Sequence, residues 1–200
     1  MKKVLIAYND DTGVVLHDFF ESCADEAKQI CYDHEMKYIS ICPPNLNEQS
    51  VCGAMSDHLI CVIAGHGDTN GIYNETCDPV VSIRTVNYNF TGKGFYSVAC
   101  SCAQNLYPHL KAVGVLLFVG YRDVIRVRGE LDPFVRCAMA GLRSFLAGDK
   151  ASIAKDKMLS TYDKQISSLD SESWERKFLV HNKEALVFEY ESDTYLDDLE

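Results

Sequence analysis

Residues 95–102 read Phe95-Tyr96-Ser97-Val98-Ala99-Cys100-Ser101-Cys102, a short apolar run that ends on a cysteine. Upstream, residues 59–67 read Leu59-Ile60-Cys61-Val62-Ile63-Ala64-Gly65-His66-Gly67, an apolar run that ends on Gly-His-Gly. Both have the length and content of buried strands. In one parallel sheet their carboxyl ends share an edge, which then presents a thiol and an imidazole side by side. Ligands of open α/β sheets bind outside those strand ends. A cysteine paired in space with a histidine is the usual arrangement for an activated thiolate nucleophile.

Working outward, Lys3 to Tyr8 reads as a first buried strand, followed by the turn Asn9-Asp10-Asp11-Thr12-Gly13. Val15, Phe19, Cys23, Ala27 and Ile30 recur at spacings of three and four, which predicts an amphipathic helix from Val14 to about Tyr32. A second strand, Lys37 to Cys42, stops at Pro43-Pro44, and a short helix spans Leu46 to Ser56. After the strand Leu59 to Ala64, residues Asp68 to Thr76 form a polar loop or small hairpin. Asp78-Pro79 has the form of an N-cap with proline at the first helical position, predicting a helix towards Phe90. Val80-Val81 and Thr85-Val86 are equally good strand formers. The strand Phe95 to Ala99 leads to a helix over Ala103 to Ala112 and a fifth buried strand over Val113 to Gly120, apolar on both faces. Tyr121 to Asp132 is a charged loop with Arg122, Arg126 and Arg128. Pro133 to Leu146 is an amphipathic helix, Lys150 to Lys177 one or two more, and Ala185 to Glu189 an edge strand. Residues 189–200 carry six acids and are expected as a solvated or partner-binding tail.

Strands alternating with helices predict an α/β class with a mostly parallel sheet. One domain of 200 residues is expected: a core over about 1–147, a helical part over 148–188 and the acidic tail. A formal charge of -10, from 29 acids against 19 bases, argues against nucleic acid and for a basic peptide or protein. No apolar run approaches a membrane span and no secretory signal opens the chain, so a cytoplasmic location is expected. Nine cysteines fit a reducing compartment. Zinc is their rival explanation, but Cys100-x-Cys102 lacks a second Cys/His pair at the usual spacing. No cofactor or metal is expected.

Two apolar strands, one ending in Ala64-Gly65-His66-Gly67 and the next in Ser97-Val98-Ala99-Cys100, resemble the caspase-like superfamily of cysteine peptidases, which includes caspases, metacaspases, gingipain-like proteases and bacterial CHAT domains. The resemblance covers about residues 1–147. His66 and Cys100 stand 34 residues apart, closer than the roughly 50 of caspases. The Gln-Ala-Cys-Arg-Gly form of caspases and the acid that precedes the nucleophile in metacaspases are both missing, marking a divergent, bacterial-type member. The resemblance implies a three-layer sandwich and an endopeptidase. It further implies a regulated role in defence or cell death, with activation by a partner, a small ligand or cleavage.

The chemistry expected of these residues is nucleophilic attack by Cys100, with His66 as its base and then as acid to the leaving amine. The main-chain N–H groups of Gly67 and Cys100 would hold the oxyanion. Cys102 is the rival nucleophile. The resemblance implies that the edge after the first strand helps build the pocket for the residue before the scissile bond. Asp10 and Asp11 there, with Asp68 and Asp123, would select Arg or Lys. The same two acids read equally as a solvated turn and helix cap. Arg122, Arg126 and Arg128 offer the opposite preference, or sites of self-cleavage. Two other classes compete. A phosphoacceptor receiver domain needs an aspartate where Gly65-His66-Gly67 stands and a lysine where Gly120-Tyr121-Arg122 stands. A caspase-like scaffold without activity fits the fold but leaves the retained Cys and His without a task.

Overall fold

The computed structural model describes residues 2–200. Its centre is a six-stranded sheet of order β2-β1-β3-β7-β8-β9. Here β1 is Lys3–Tyr8, β2 Lys37–Ile41, β3 Ile60–Ala64, β7 Gly94–Val98, β8 Leu117–Tyr121 and β9 Leu186–Tyr190. The first five are parallel and β9 runs antiparallel to β8. A three-stranded antiparallel sheet, β4 (His66–Gly67), β5 (Gly71–Tyr73) and β6 (Pro79–Ser82), grows directly from the end of β3.

Alternation along the strands sorts side chains into two cores. Val4, Ile6, Ile60, Val62, Tyr96 and Val98 face one core, which is closed by α1 (His17–Asp33), α4 (Asp132–Leu146), α5 (Ala151–Ser168) and α6 (Trp174–Ala185). Leu5, Ala7, Cys61, Ile63 and Phe95 face the other, closed by α2 (Glu48–Ala54), α3 (Leu106–Ala112) and the small sheet. Helices therefore cover both faces of the central sheet. No helix among the described residues is long and apolar enough to cross a membrane.

Three elements differ from the sequence reading. Asp78-Pro79 opens a strand, not a helix: Asn74 Oδ1 accepts the N–H groups of Thr76 and Asp78, which builds a tight turn, and Val80 and Val81 are then fully buried. β-branched side chains fit that pleated, enclosed surface. α1 begins at His17, because Leu16 sits in the left-handed region at φ 70° and stops the helix there. Val15 is thereby cut from the apolar stripe and left 75% exposed. Finally, residues 191–200 are not a solvated tail. Thr194, Leu196 and Leu199 are buried, Asp193 Oδ1 accepts the Ser152 N–H at the start of α5, and Asp197 pairs with Lys2. Acids and apolar residues interleave in this segment, so it docks one set while the other stays at the surface.

Candidate functional site

The alternation that builds the cores also aims the candidate dyad. In β3 the residues facing the α1 core are Ile60, Val62 and Ala64. Two residues further on, the His66 ring meets Phe20 of α1 edge-on, with centroids 5.3 Å apart at 90°. In β7 the same face carries Tyr96 and Val98, and Cys100 packs against that core two residues later. Ala64 and Val98 are register partners, and the Gly65 N–H donates to the Val98 carbonyl at 3.2 Å. His66 and Cys100 therefore occupy corresponding places beyond neighbouring parallel strands, on one face of the sheet, and both are half-buried.

Gly67 sets the spacing between the two strand ends. A Cβ there would lie 2.7 Å from the Cys100 carbonyl oxygen, 3.1 Å from Ala99 Cβ and 3.3 Å from the Cys100 nitrogen. Only glycine lets the two backbones meet this closely. The contact brings Gly67 and the Cys100 amide together, the pair that sequence reading named as oxyanion donors.

The Ile125 N–H donates to Cys100 Sγ at 3.3 Å. Burial pushes the thiol above its ordinary pKa, the Ile125 N–H pulls it down, and the Asp123 carboxylate pushes it up. The loop that delivers Ile125 is tied to α6. Asn182 Oδ1 accepts the Arg126 N–H and Asn182 Nδ2 donates to the Arg126 carbonyl, both at 2.8 Å. The Arg122 N–H donates to the Ala185 carbonyl at 2.8 Å, and His181 Nε2 lies 2.9 Å from the Val124 carbonyl. Sequence reading missed Asn182. Its one signal is a polar residue on the buried stripe Leu179, Asn182, Ala185.

Cys102 faces the opposite core and is fully buried. Its Sγ lies 3.1 Å from Ser97 Oγ and donates to the Ala99 carbonyl at 3.4 Å. A thiol with no solvent access, whose pKa burial pushes up, is a structural residue. Because the two cysteines address opposite faces, Cys100-x-Cys102 does not form a chelating pair.

The four acids follow the carboxyl ends of strands, and three of them accept hydrogen bonds within their own turns. Tyr8 is the register partner of Ala64, and the Asn9 N–H donates to the Ala64 carbonyl at 3.0 Å, so half-buried Asp10 stands in rank with His66. Asp11 Oδ1 accepts the Gly13 N–H at 2.8 Å. Asp68 Oδ1 accepts the N–H groups of Asn70 and Gly71 and the Tyr73 hydroxyl, at 2.7, 3.0 and 3.1 Å. Asp123 Oδ1 accepts the Val124 N–H at 2.7 Å, with His181 Nε2 at 3.9 Å from Oδ2. Asp11, Asp68 and Asp123 thus hold turns together. No model of a known protein family matches the chain and comparison with curated proteins gives no match, so the functional assignment rests on this geometry.

Proposed function

We propose that the chain is a caspase-like cysteine peptidase acting in the cytoplasm through a Cys100–His66 dyad. The observation that carries this reading is the placement of His66 and Cys100 on one face, at corresponding positions beyond adjacent parallel strands. Burial disfavours the Cys100 thiolate, so attack calls for a base, and His66 stands in the neighbouring strand end. Cys100 Sγ adds to the scissile carbonyl as its proton passes to the imidazole. The tetrahedral oxyanion is held by the Gly67 and Cys100 N–H groups. The imidazolium then protonates the leaving amine, giving an acyl-enzyme. Water, deprotonated by His66, releases the acid and restores the thiol. Asp10, in rank with His66 and free of the turn bonds that occupy the other three acids, is the carboxylate placed to receive Arg or Lys before the scissile bond.

The test is hydrolysis of a fluorogenic peptide series with Arg, Lys, Asp or Leu before the scissile bond, using the wild type, Cys100→Ala and His66→Ala. Cleavage after Arg or Lys that is lost in both variants is expected. Activity surviving Cys100→Ala overturns the dyad. A well-folded chain that cleaves nothing, alone or with cell extract, supports a scaffold instead.

A further inference from the structure

A cleft of about 630 Å³ opens between residues 12–19 and residues 127–131. Both walls continue segments that hold the dyad. Phe19 precedes Phe20, which meets the His66 ring, and Val127 follows Ile125 by two residues, whose N–H meets Cys100 Sγ. The cleft walls therefore begin one or two residues from groups that contact His66 and Cys100, and a substrate that runs extended, at about 3.3 Å per residue, would carry its neighbouring side chains towards them.

Its charged lining groups already have partners. His17 Nδ1 lies 3.0 Å from the Val14 carbonyl, and its Nε2 is 3.1 Å from Asp18 Oδ1. The Arg128 guanidinium lies 5.5 Å from the Trp174 ring centroid. The accessible apolar lining that remains for a ligand is Val14, Val15, Leu16, Val127 and Leu131, with Phe19 buried beneath them. The chain holds Leu16 in a left-handed conformation that costs a non-glycine residue about 1–2 kcal/mol, and Val15 stands exposed as a result.

We infer that this cleft binds an apolar side chain of the peptide substrate, next to the basic residue that Asp10 receives. The substrate class is then a basic peptide segment with a leucine-like residue within two positions of the cleaved bond. This inference rests on the peptidase reading, and binding to an inactive chain separates the two.

Trp174, the single tryptophan, lies against Arg128 of the cleft wall and reports occupancy by fluorescence. Cys100→Ala protein is titrated with acetyl-Leu-Leu-Arg-amide, acetyl-Ala-Ala-Arg-amide and acetyl-Asp-Asp-Arg-amide. The leucine peptide is expected to bind at least about tenfold more tightly than either other peptide, the scale of burying one leucine side chain. Val15→Asp, a change at an exposed position, should remove that advantage, and Val127→Asp should do the same from the other wall. Equal binding of the three peptides, tighter binding of the aspartate peptide, no binding at all, or a leucine advantage that survives both variants overturns the inference. Selective leucine binding, with no Cys100-dependent hydrolysis by the wild type, keeps the cleft assignment and overturns the peptidase reading.

Discussion

The two edges of the central sheet both carry titratable residues, in opposite circumstances. At the amino edge stand His58 and Lys93, both buried. His58 Nδ1 lies 2.6 Å from the Ala54 carbonyl, and desolvation lowers the Lys93 ammonium pKa. The segment 191–200 closes over this edge, with the Glu200 N–H donating to the Gly92 carbonyl at 3.0 Å. At the carboxyl edge Asp10, His66 and Cys100 are half-buried, and the segments that follow β1 and β8 line an open cleft. Reactive residue types therefore mark no site on their own. What distinguishes the carboxyl edge is access combined with alignment on one face.

The strongest way to break this contrast is to exchange the consequences of mutation at the two edges. Cys100→Ala should lower kcat/KM by at least about 10³-fold, and His66→Ala by roughly 10²–10⁴-fold, the range of general acid–base catalysis. The double variant should be little worse than either single one, since the residues act as a unit. Melting temperature should hardly change. Leu199→Ala at the amino edge should do the reverse, costing about 2 kcal/mol of stability with kcat/KM intact. Urea unfolding and peptide hydrolysis on the same four proteins check both halves. An activity loss in Leu199→Ala as large as in His66→Ala would erase the distinction.

Between the edges, the enclosed thiols give a pH signature that an open site would not. Burial pushes Cys31 and Cys52 up to about 11 and Cys137 up to about 12. An unfolded chain ionises its thiols near pH 8.5. Above that pH the unfolded state releases protons that the folded state retains, so unfolding is favoured. The stability these thiols contribute is complete below about pH 8.5 and is lost as pH rises towards their folded values, at about 2 kcal/mol per thiol by pH 10. Urea midpoints at pH 7.5 and pH 10 should differ accordingly. Equal midpoints would mean that the interior thiols are solvated.

Much of this arrangement is legible in the chain because short, continuous apolar runs bounded by turn residues signal strands buried on both faces. The runs over 59–64 and 95–99 predict buried strands, and the structure pairs β3 and β7 in parallel, which places the residues two steps past their ends together. Other features depend on partners distant in sequence. Asp78-Pro79 satisfies the local rule for a helix start, but burial of Val80 and Val81 decides for a strand. Val15 continues the helical spacing, yet the backbone of Leu16 excludes it. The acids of 189–200 suggest solvation until Leu196 and Leu199 find a surface to cover. The edge position of Asp11, Asp68 and Asp123 is readable from strand ends, and so is the turn that Asp11 caps. The use of Asp68 and Asp123 as turn caps is not, because it depends on which N–H groups the folded loops leave open.

The finest distinction concerns how far the carboxyl edge depends on α6, and here the expected effect is smallest. Asn182 is 3% exposed and grips both the N–H and the carbonyl of Arg126. The preceding residue, Ile125, donates its N–H to Cys100 Sγ. Such a bond strengthens when the sulfur becomes a thiolate, so it favours ionisation and opposes the burial and the Asp123 charge that disfavour it. Asn182→Ala frees two buried backbone groups and loosens the loop. Cys100 should then ionise at higher pH, and its alkylation by iodoacetamide at pH 7 should slow by up to about tenfold, the scale of one hydrogen bond to a charged group. Asn182→Asp keeps the acceptor for the Arg126 N–H and should fall between the two. Because alkylation needs no substrate, the measurement stands whether or not the chain is a peptidase. A rate–pH profile of Cys100 unchanged in Asn182→Ala, in protein shown to be folded by circular dichroism, would mean that α6 braces the loop without tuning the thiol.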